Sequence, residues 1–357
     1  MSVLVYTSVA MLFLHRIALK VSASVLICLS CAFYNAAASA QDSEFSKLVV
    51  FGDSLSDTGN IALINLPFPY YQNRISNGPV GVDIVATSIG STAAASRHLF
   101  GSNEGFNYSV SGGNVVGSDR EDLNQQVSAF LSRVDPQADG NALYLSVMGG
   151  NDLRDIRSIT DANVASQRIQ AVVAQMEAQI ERLINAGARS FLVTNVPNVG
   201  RIPETLQREA DDPGIAARVQ SYVIEYNAAL SQALIPFTQR SDISFVAFDF
   251  FQVLEDILNN FQDLGFTTGT EGCFSPDGFP LNFDNPPIEL ECLILGFDSR
   301  VFFDNIHPSA ATNAILGPQL VSALPSLPDD NTTPQTPPGA NSSAVLIPTI
   351  NLLLDTD

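Results

Sequence analysis

Residues 48–60 read LVVFGDSLSDTGN, four apolar residues that meet a glycine and then two serines and two aspartates within five positions. A buried strand that stops abruptly in small polar groups marks the edge where open α/β sheets bind ligands, just beyond the carboxyl ends of their strands. The rest of the chain repeats the theme. KLVVF (47–51), ALYLSVM (142–148), SFLVTNV (190–196) and ISFVAFDF (243–250) are apolar runs with the length and content of buried strands. Between the last pairs lie amphipathic stretches. DANVASQRIQAVVAQMEAQIERLINAGA places Val164, Ile169, Val172, Val173, Met176, Ile180, Leu183 and Ile184 at helical spacing, with Gly187 as its stop. IAARVQSYVIEYNAALSQALIPF behaves likewise and is expected to end near Pro236. This alternation predicts one doubly wound α/β domain, a parallel sheet covered on both faces, of about 280 residues over 41–326.

Charge excludes one group of functions. With 17 Lys and Arg against 37 Asp and Glu, the formal charge is -20, and such a surface repels nucleic acid phosphates and anionic lipid headgroups. The first forty residues stand apart, with Arg16 and Lys20 but no acid, followed by the apolar run VSASVLICLSCAF. Ala38-Ser39-Ala40 then supplies the small-x-small pattern of a signal-peptidase site, so residues 1–40 read as an export signal cleaved after Ala40. An uncleaved anchor is the second reading, because VLVYTSVAMLFL lies upstream. Export leaves two cysteines, Cys273 and Cys292, in a Gly-, Pro- and Asp-rich stretch, which favours a disulfide over two buried thiols. Such a bridge would contribute roughly 3 kcal/mol by loop entropy. Residues 261–300 read as a disulfide-tied loop or cap, and 327–357 as a Pro-rich linker with a short apolar tail, AVLIPTINLLL.

Chemistry depends on a base. Ser54 and Ser56 both sit at a strand end where a helix is expected to start, but a serine is a weak nucleophile until its proton is removed. Of three histidines, His15 lies in the signal and His98 has no carboxylate close in sequence, which suits a structural residue. His307 lies in FFDNIHPSA, three residues after Asp304 and ahead of a helix expected near Pro308. An Asp-x-x-His turn lets the carboxylate orient one imidazole nitrogen while the other faces a nucleophile. Acyl transfer also needs oxyanion donors. VMGGNDLRD offers the Asn151 side chain at a strand end, and FNYSVSGGNV offers the backbone of Gly112 or Gly113.

These blocks, in this order, resemble the GDSL family of the SGNH hydrolases. Phe51-Gly52-Asp53-Ser54-Leu55-Ser56-Asp57 matches the first block, Gly112 falls on the second, Gly149 to Asp152 on the third, and Asp304, His307 and Pro308 on the last. RISNGPVGVDIVA (74–86) resembles the branch that holds plant esterases and bacterial phospholipase- or haemolysin-like enzymes. The resemblance implies a three-layer, flavodoxin-like α/β/α fold with a mainly parallel five-stranded sheet. It implies Ser54, His307 and Asp304 as catalytic residues, and Ser54, Gly112 and Asn151 as the oxyanion hole. It implies neither cofactor nor metal. Ser56 is left to cap a helix, and Asp57 and Asp152 to organise the crevice through hydrogen bonds. Ser111 departs from the glycine common in relatives, which keeps Gly112 and Gly113 both open.

The expected activity is hydrolysis of carboxylic esters, of lipids or of medium to short acyl groups, by a secreted or periplasmic serine esterase. Acetylated polysaccharides are the runner-up substrate, and a lipid- or carbohydrate-binding module on the same fold is the reading from another class. Phosphatase chemistry is excluded because Leu55 stands where a second aspartate would be needed, and neither DSLSDTGN nor GSDREDLN has the ligand pattern of a calcium loop. A protonated His307 cannot accept the Ser54 proton, so kcat/KM is expected to fall on acidification, and a rate profile that is flat between roughly pH 5 and 8 contradicts the mechanism.

Overall fold

The computed structural model describes residues 44–61, 65–135, 137–274 and 288–328. The expected export signal, the centre of the 261–300 loop and nearly all of the 327–357 linker and tail lie outside those residues. Strands β1 (Leu48–Gly52), β2 (Leu143–Val147), β3 (Ser190–Thr194) and β4 (Ser244–Phe248) pair in parallel in that order. Every residue of β1, β2 and β3 is buried, as a sheet covered on both faces requires. Tyr144, Phe191 and Phe245 share one register row, and their rings stack at 5.5 and 5.8 Å across three strands.

Nine α-helices surround the sheet among the described residues: α1 (Gly81–Ser88), α2 (Leu123–Val134), α3 (Gly150–Asp155), α4 (Ala162–Asn185), α5 (Pro203–Gln207), α6 (Ile215–Thr238), α7 (Phe250–Asn259), α8 (Leu290–Leu295) and α9 (Ala310–Ser322). Leu123 and Val127 of α2 and Met176, Ile180 and Leu183 of α4 meet Phe51, Tyr144 and Phe191 on one face. On the other, Val147 and Thr194 face Val82 of α1, Phe250 of α7 and Leu316 and Leu320 of α9. In α4, Asp161 caps the first turn by accepting from the Asn163 and Val164 N–H groups, and Gly187 at φ 114° ends the run. The apolar stripe begins at buried Ala165, which leaves Val164 42% exposed, contrary to the spacing. Pro236 forfeits a bond only in the last turn of α6, so that helix runs on to Thr238.

Two expectations change. The sheet has four strands among the described residues, and the expected fifth is reduced to a single bridge between Val50 and Asn107 on the outer edge of β1. There Val50 N–H donates to Phe106 O, Tyr108 N–H to Val50 O and Val110 N–H to Gly52 O. The ladder breaks at Gly52 because its N–H donates instead to Gln126 Oε1, at 2.9 Å. Gln126 Nε2 donates back to Gly52 O at 2.7 Å, so one side-chain amide occupies the place of a strand residue. The second change follows Ser54, where residues 54–61 form turns and no helix. Ser56 therefore caps nothing; fully buried, it donates to Ser109 Oγ at 2.9 Å.

The described parts of the 261–300 loop lie behind the Asp304–His307 turn. Cys273 and Cys292 are paired with their Cα atoms 5.7 Å apart, and both pack in an apolar cluster with Tyr70, Ile75, Phe274 and Phe303. Phe274 and Phe303 meet edge to face at 4.9 Å, and Arg300, 5% exposed, donates to Gly272 O and to Glu291 Oε2. These aromatic side chains fill a core. A Cβ on Gly272 would lie 2.0 Å from the carbonyl oxygen of Asp304, so Gly272→Ala has to push the loop off the turn. That variant is expected to lose about 1–3 kcal/mol of stability together with activity, read as a lower Tm and a lower kcat; unchanged values in both would refute the buttress.

Candidate active site

The ends of β1 and β2 and the turn ahead of α9 bring the sequence-derived residues to one crevice. Ser54 is half-buried at the end of β1, and His307 Nε2 lies 2.7 Å from its Oγ. His307 Nδ1 faces Asp304 at 2.8 Å to Oδ2 and 3.0 Å to Oδ1. Asp304, fully buried, also accepts from the backbone N–H groups of Ile306 and His307, at 2.8 and 2.7 Å. With the carboxylate taken up by donors on every side, Nδ1 is the nitrogen that carries the proton, and Nε2 presents its lone pair to Ser54.

A short hairpin sets this turn. Phe303 N–H donates to His307 O, Ser309 N–H donates to Val301 O, and Phe302 bridges Pro308. The RISNG stretch grips its far side: Ser76 Oγ donates to Pro308 O, and Asn77 Oδ1 accepts from Ala310 N–H at 2.9 Å. A Cβ on Gly78 would meet that of Ala310 at 2.6 Å, which explains glycine at this place in the stretch.

The remaining two blocks are tied in by carboxylates. Asp57 Oδ2 accepts from Ser111 N–H and Oγ, at 2.9 and 3.1 Å, while its Oδ1 accepts from Gly59 and Asn60. Ser111, the departure from the family pattern, thus adds a bond between the first and second blocks. Asp152 accepts from Val115 and Val116 N–H groups at 2.8 and 3.0 Å, joining the second block to the third. Burial pushes the Asp152 carboxyl up to about 7, against the pull of those two bonds.

Gly112 and Gly113 differ in what they have left to offer. Gly113 N–H donates to Val110 O at 3.0 Å, and a Cβ there would meet Glu121 O at 2.4 Å. Gly112, half-buried with φ 87°, has an N–H with no acceptor among the described residues, as does Ser54. Asn151 Nδ2 donates one hydrogen to Gly113 O at 3.0 Å, and an amide has a second. Ser54 N–H, Gly112 N–H and Asn151 Nδ2 are therefore three donors with capacity to spare among the described residues.

His98 has no part in this crevice. Its Nδ1 lies 2.7 Å from Ser96 Oγ, its ring is 5.4 Å from that of Tyr108, and burial, helped by Arg120, pulls it down to about 4. Among the described residues no group of three or more His, Cys, Asp or Glu is placed to hold a metal ion, and no helix is long and apolar enough to cross a membrane. No motif in the sequence marks Asp53, Gln126, Arg154 or Glu204 as partners of this site. Asp53 has no partner visible in sequence, and the helical spacing of Asn151 and Arg154 hints at Arg154 but not at Glu204.

The chain belongs to the family described as GDSL-like Lipase/Acylhydrolase, whose profile matches residues 48–320. It is accordingly a carboxylic ester hydrolase. It is 27% identical over 330 residues to a GDSL esterase/lipase of Arabidopsis thaliana, covering 76% of this chain and 86% of the relative. A thermolabile hemolysin of Vibrio parahaemolyticus is 24% identical over 305 residues, 80% of this chain and 65% of the hemolysin. Among solved structures, an acetylxylan esterase from Geobacillus stearothermophilus superposes with a TM-score of 0.41 at 13% identity, covering 79% of this chain and 96% of the other.

Asp53 gives this site a pH signature of its own. It is 3% exposed and accepts from Leu55 N–H at 3.0 Å; burial raises its carboxyl to about 6, although the Leu55 bond and the charges of His307 and Arg154 oppose the shift. Below the ordinary aspartate value both folded and unfolded chains hold the proton. Between that value and about pH 6 the unfolded chain releases it while the folded chain keeps it, so stability falls as pH rises through this window and then levels off. Asp53→Asn keeps the acceptor for Leu55 and removes the titration. Its Tm relative to wild type is expected to climb across the window and stay constant above it; a difference independent of pH would exclude Asp53 as the source.

Proposed function

We propose that the protein is a secreted serine esterase that hydrolyses carboxylic esters of lipids or of medium to short acyl groups through an acyl-enzyme on Ser54. The observation that carries this reading is the 2.7 Å contact between Ser54 Oγ and His307 Nε2, with Asp304 on the other imidazole nitrogen at 2.8 Å. His307 takes the Ser54 proton as Oγ attacks the ester carbonyl, and Asp304 holds the imidazole in place and stabilises its charged form. The oxyanion is received by the N–H groups of Ser54 and Gly112 and by Asn151 Nδ2. His307 then returns the proton to the leaving alcohol. A water, deprotonated in turn by His307, cleaves the acyl-enzyme and restores Ser54.

Gly112 is assigned over Gly113 because the Gly113 N–H already serves Val110. The Cys273–Cys292 pair is assigned as a disulfide formed after export, with residues 1–40 as the signal and 41–326 as the catalytic domain. Phe274 and Phe303, packed with Tyr70 behind the acid-base turn, serve there as support rather than as an acyl pocket. Acetyl esters, including those of polysaccharides, are served by the same residues, and substrate length distinguishes the two.

The test is hydrolysis of a p-nitrophenyl ester series, acetate to palmitate, by the mature protein and its Ser54→Ala variant. Ser54→Ala is expected to lose on the order of 10⁴-fold or more in kcat at every chain length, the scale set by removal of a serine nucleophile. The chain-length optimum of the wild type then separates a lipid esterase from an acetyl esterase, and equal rates in wild type and variant overturn the proposal.

A further inference from the structure

Arg154 follows Asn151 by three residues on α3, one turn along the same helix. Its Nη1 donates to Asn151 Oδ1 at 2.9 Å, while Nε and Nη2 fork onto Glu204 Oε2 and Oε1 at 2.9 and 3.0 Å. Glu204 sits in the first turn of α5, and its own backbone N–H donates to the carbonyl of Asn305 at 2.8 Å, inside the Asp304–His307 turn. The contacts thus run from the amide of Asn151 to the turn that carries the base. The ion pair is well shielded, with the Arg154 and Glu204 side chains 21% and 14% exposed. Burial alone would raise the Glu204 carboxyl, but the bonds from Arg154 and the charges of Arg154, Arg157 and Arg208 outweigh it and hold the group below the usual range.

The two ends of an asparagine amide have nearly the same shape, so its hydrogen-bond partners decide which end faces where. Guanidinium can only donate. Arg154 therefore requires Oδ1 on its own side and turns Nδ2 towards Gly113 O and the crevice. A cation on Oδ1 also draws electron density from the amide and makes Nδ2–H a stronger donor. We propose that Arg154, held by Glu204, is a positioning residue for ester hydrolysis that fixes and polarises Asn151 as the oxyanion donor. The inference rests on the reading that Asn151 serves the oxyanion.

The test is a double-variant cycle on p-nitrophenyl acetate hydrolysis with wild type, Asn151→Ala, Arg154→Ala and the double variant, each checked for an unaltered Tm. Asn151→Ala is expected to lose about 10²–10³-fold in kcat, the scale of one oxyanion donor. Arg154→Ala is expected to lose about tenfold in kcat with KM within about twofold, and to lose nothing more once Asn151 is alanine. Methylguanidinium should restore part of the rate to Arg154→Ala and none to the double variant. If Arg154→Ala lowers the Tm, Glu204→Gln, which keeps the side-chain shape, replaces it in the same cycle with a several-fold expected loss. The same fractional loss in both backgrounds, or a loss confined to KM, overturns the relay and leaves the esterase reading intact. A wild-type rate in Asn151→Ala removes Asn151 from the oxyanion hole and the relay with it, whereas an active Ser54→Ala overturns the esterase reading itself.

Discussion

Loops that leave the carboxyl edge of a buried parallel sheet carry backbone N–H groups that water does not reach, and each needs an acceptor. Here buried aspartates meet that constraint. Asp57 accepts from Gly59, Asn60 and Ser111, Asp122 from Asn114 and Asp119, Asp152 from Val115 and Val116, and Asp304 from Ile306 and His307. Burial raises the carboxyls of Asp57, Asp122 and Asp152, which means the fold spends stability to keep them there. What it obtains is geometry. Each carboxylate is shared between loops or between the two sides of one turn, so no block of the crevice moves independently of its neighbours.

The same logic separates the residues proposed to do chemistry from the residues that hold them. Ser54, Gly112 and Asn151 keep partly exposed positions with donor capacity left over, whereas Asp57, Ser56 and Ser111, a few residues away, are buried and fully engaged. The acid-base turn is supported from behind by the Cys273–Cys292 cluster and from the side by the RISNG stretch. Three segments distant in sequence therefore meet at the turn that carries one imidazole.

How much of this was legible beforehand follows from the range of each interaction. The four strands and the phase of α4 come from local apolar spacing, and each strand was read within a residue or two of its ends. The site residues stood out because so few bases exist: with His15 in the expected signal, His98 and His307 were the only histidines left. The errors are non-local. The absence of a fifth strand among the described residues turns on the Gln126 amide, 74 residues from the Gly52 backbone it satisfies. A helix was expected after Ser54 because a glycine and polar residues following a strand suit a helix start; Asp57, folding back onto the Gly59 and Asn60 N–H groups, makes a compact turn instead. Arg154 and Glu204 are 50 residues apart, and nothing in either one's neighbourhood announces the other.

The broken ladder beside β1 also bears on how this protein behaves at high concentration. An open strand edge with a row of unsatisfied N–H and C=O groups is a template on which a second molecule can add its own strand. Segment 106–110 shields β1, and its own outward carbonyls at Asn107 and Ser109 are occupied by the Asn60 side-chain amide, both at 2.8 Å. The Asn107 N–H and C=O are further engaged by Ala94 and Ser96. Two carboxamides, Gln126 on the inner side and Asn60 on the outer, thus interrupt the ladder on this flank, and the outward groups of Asn107 and Ser109, already engaged, are closed to a strand from a neighbouring copy.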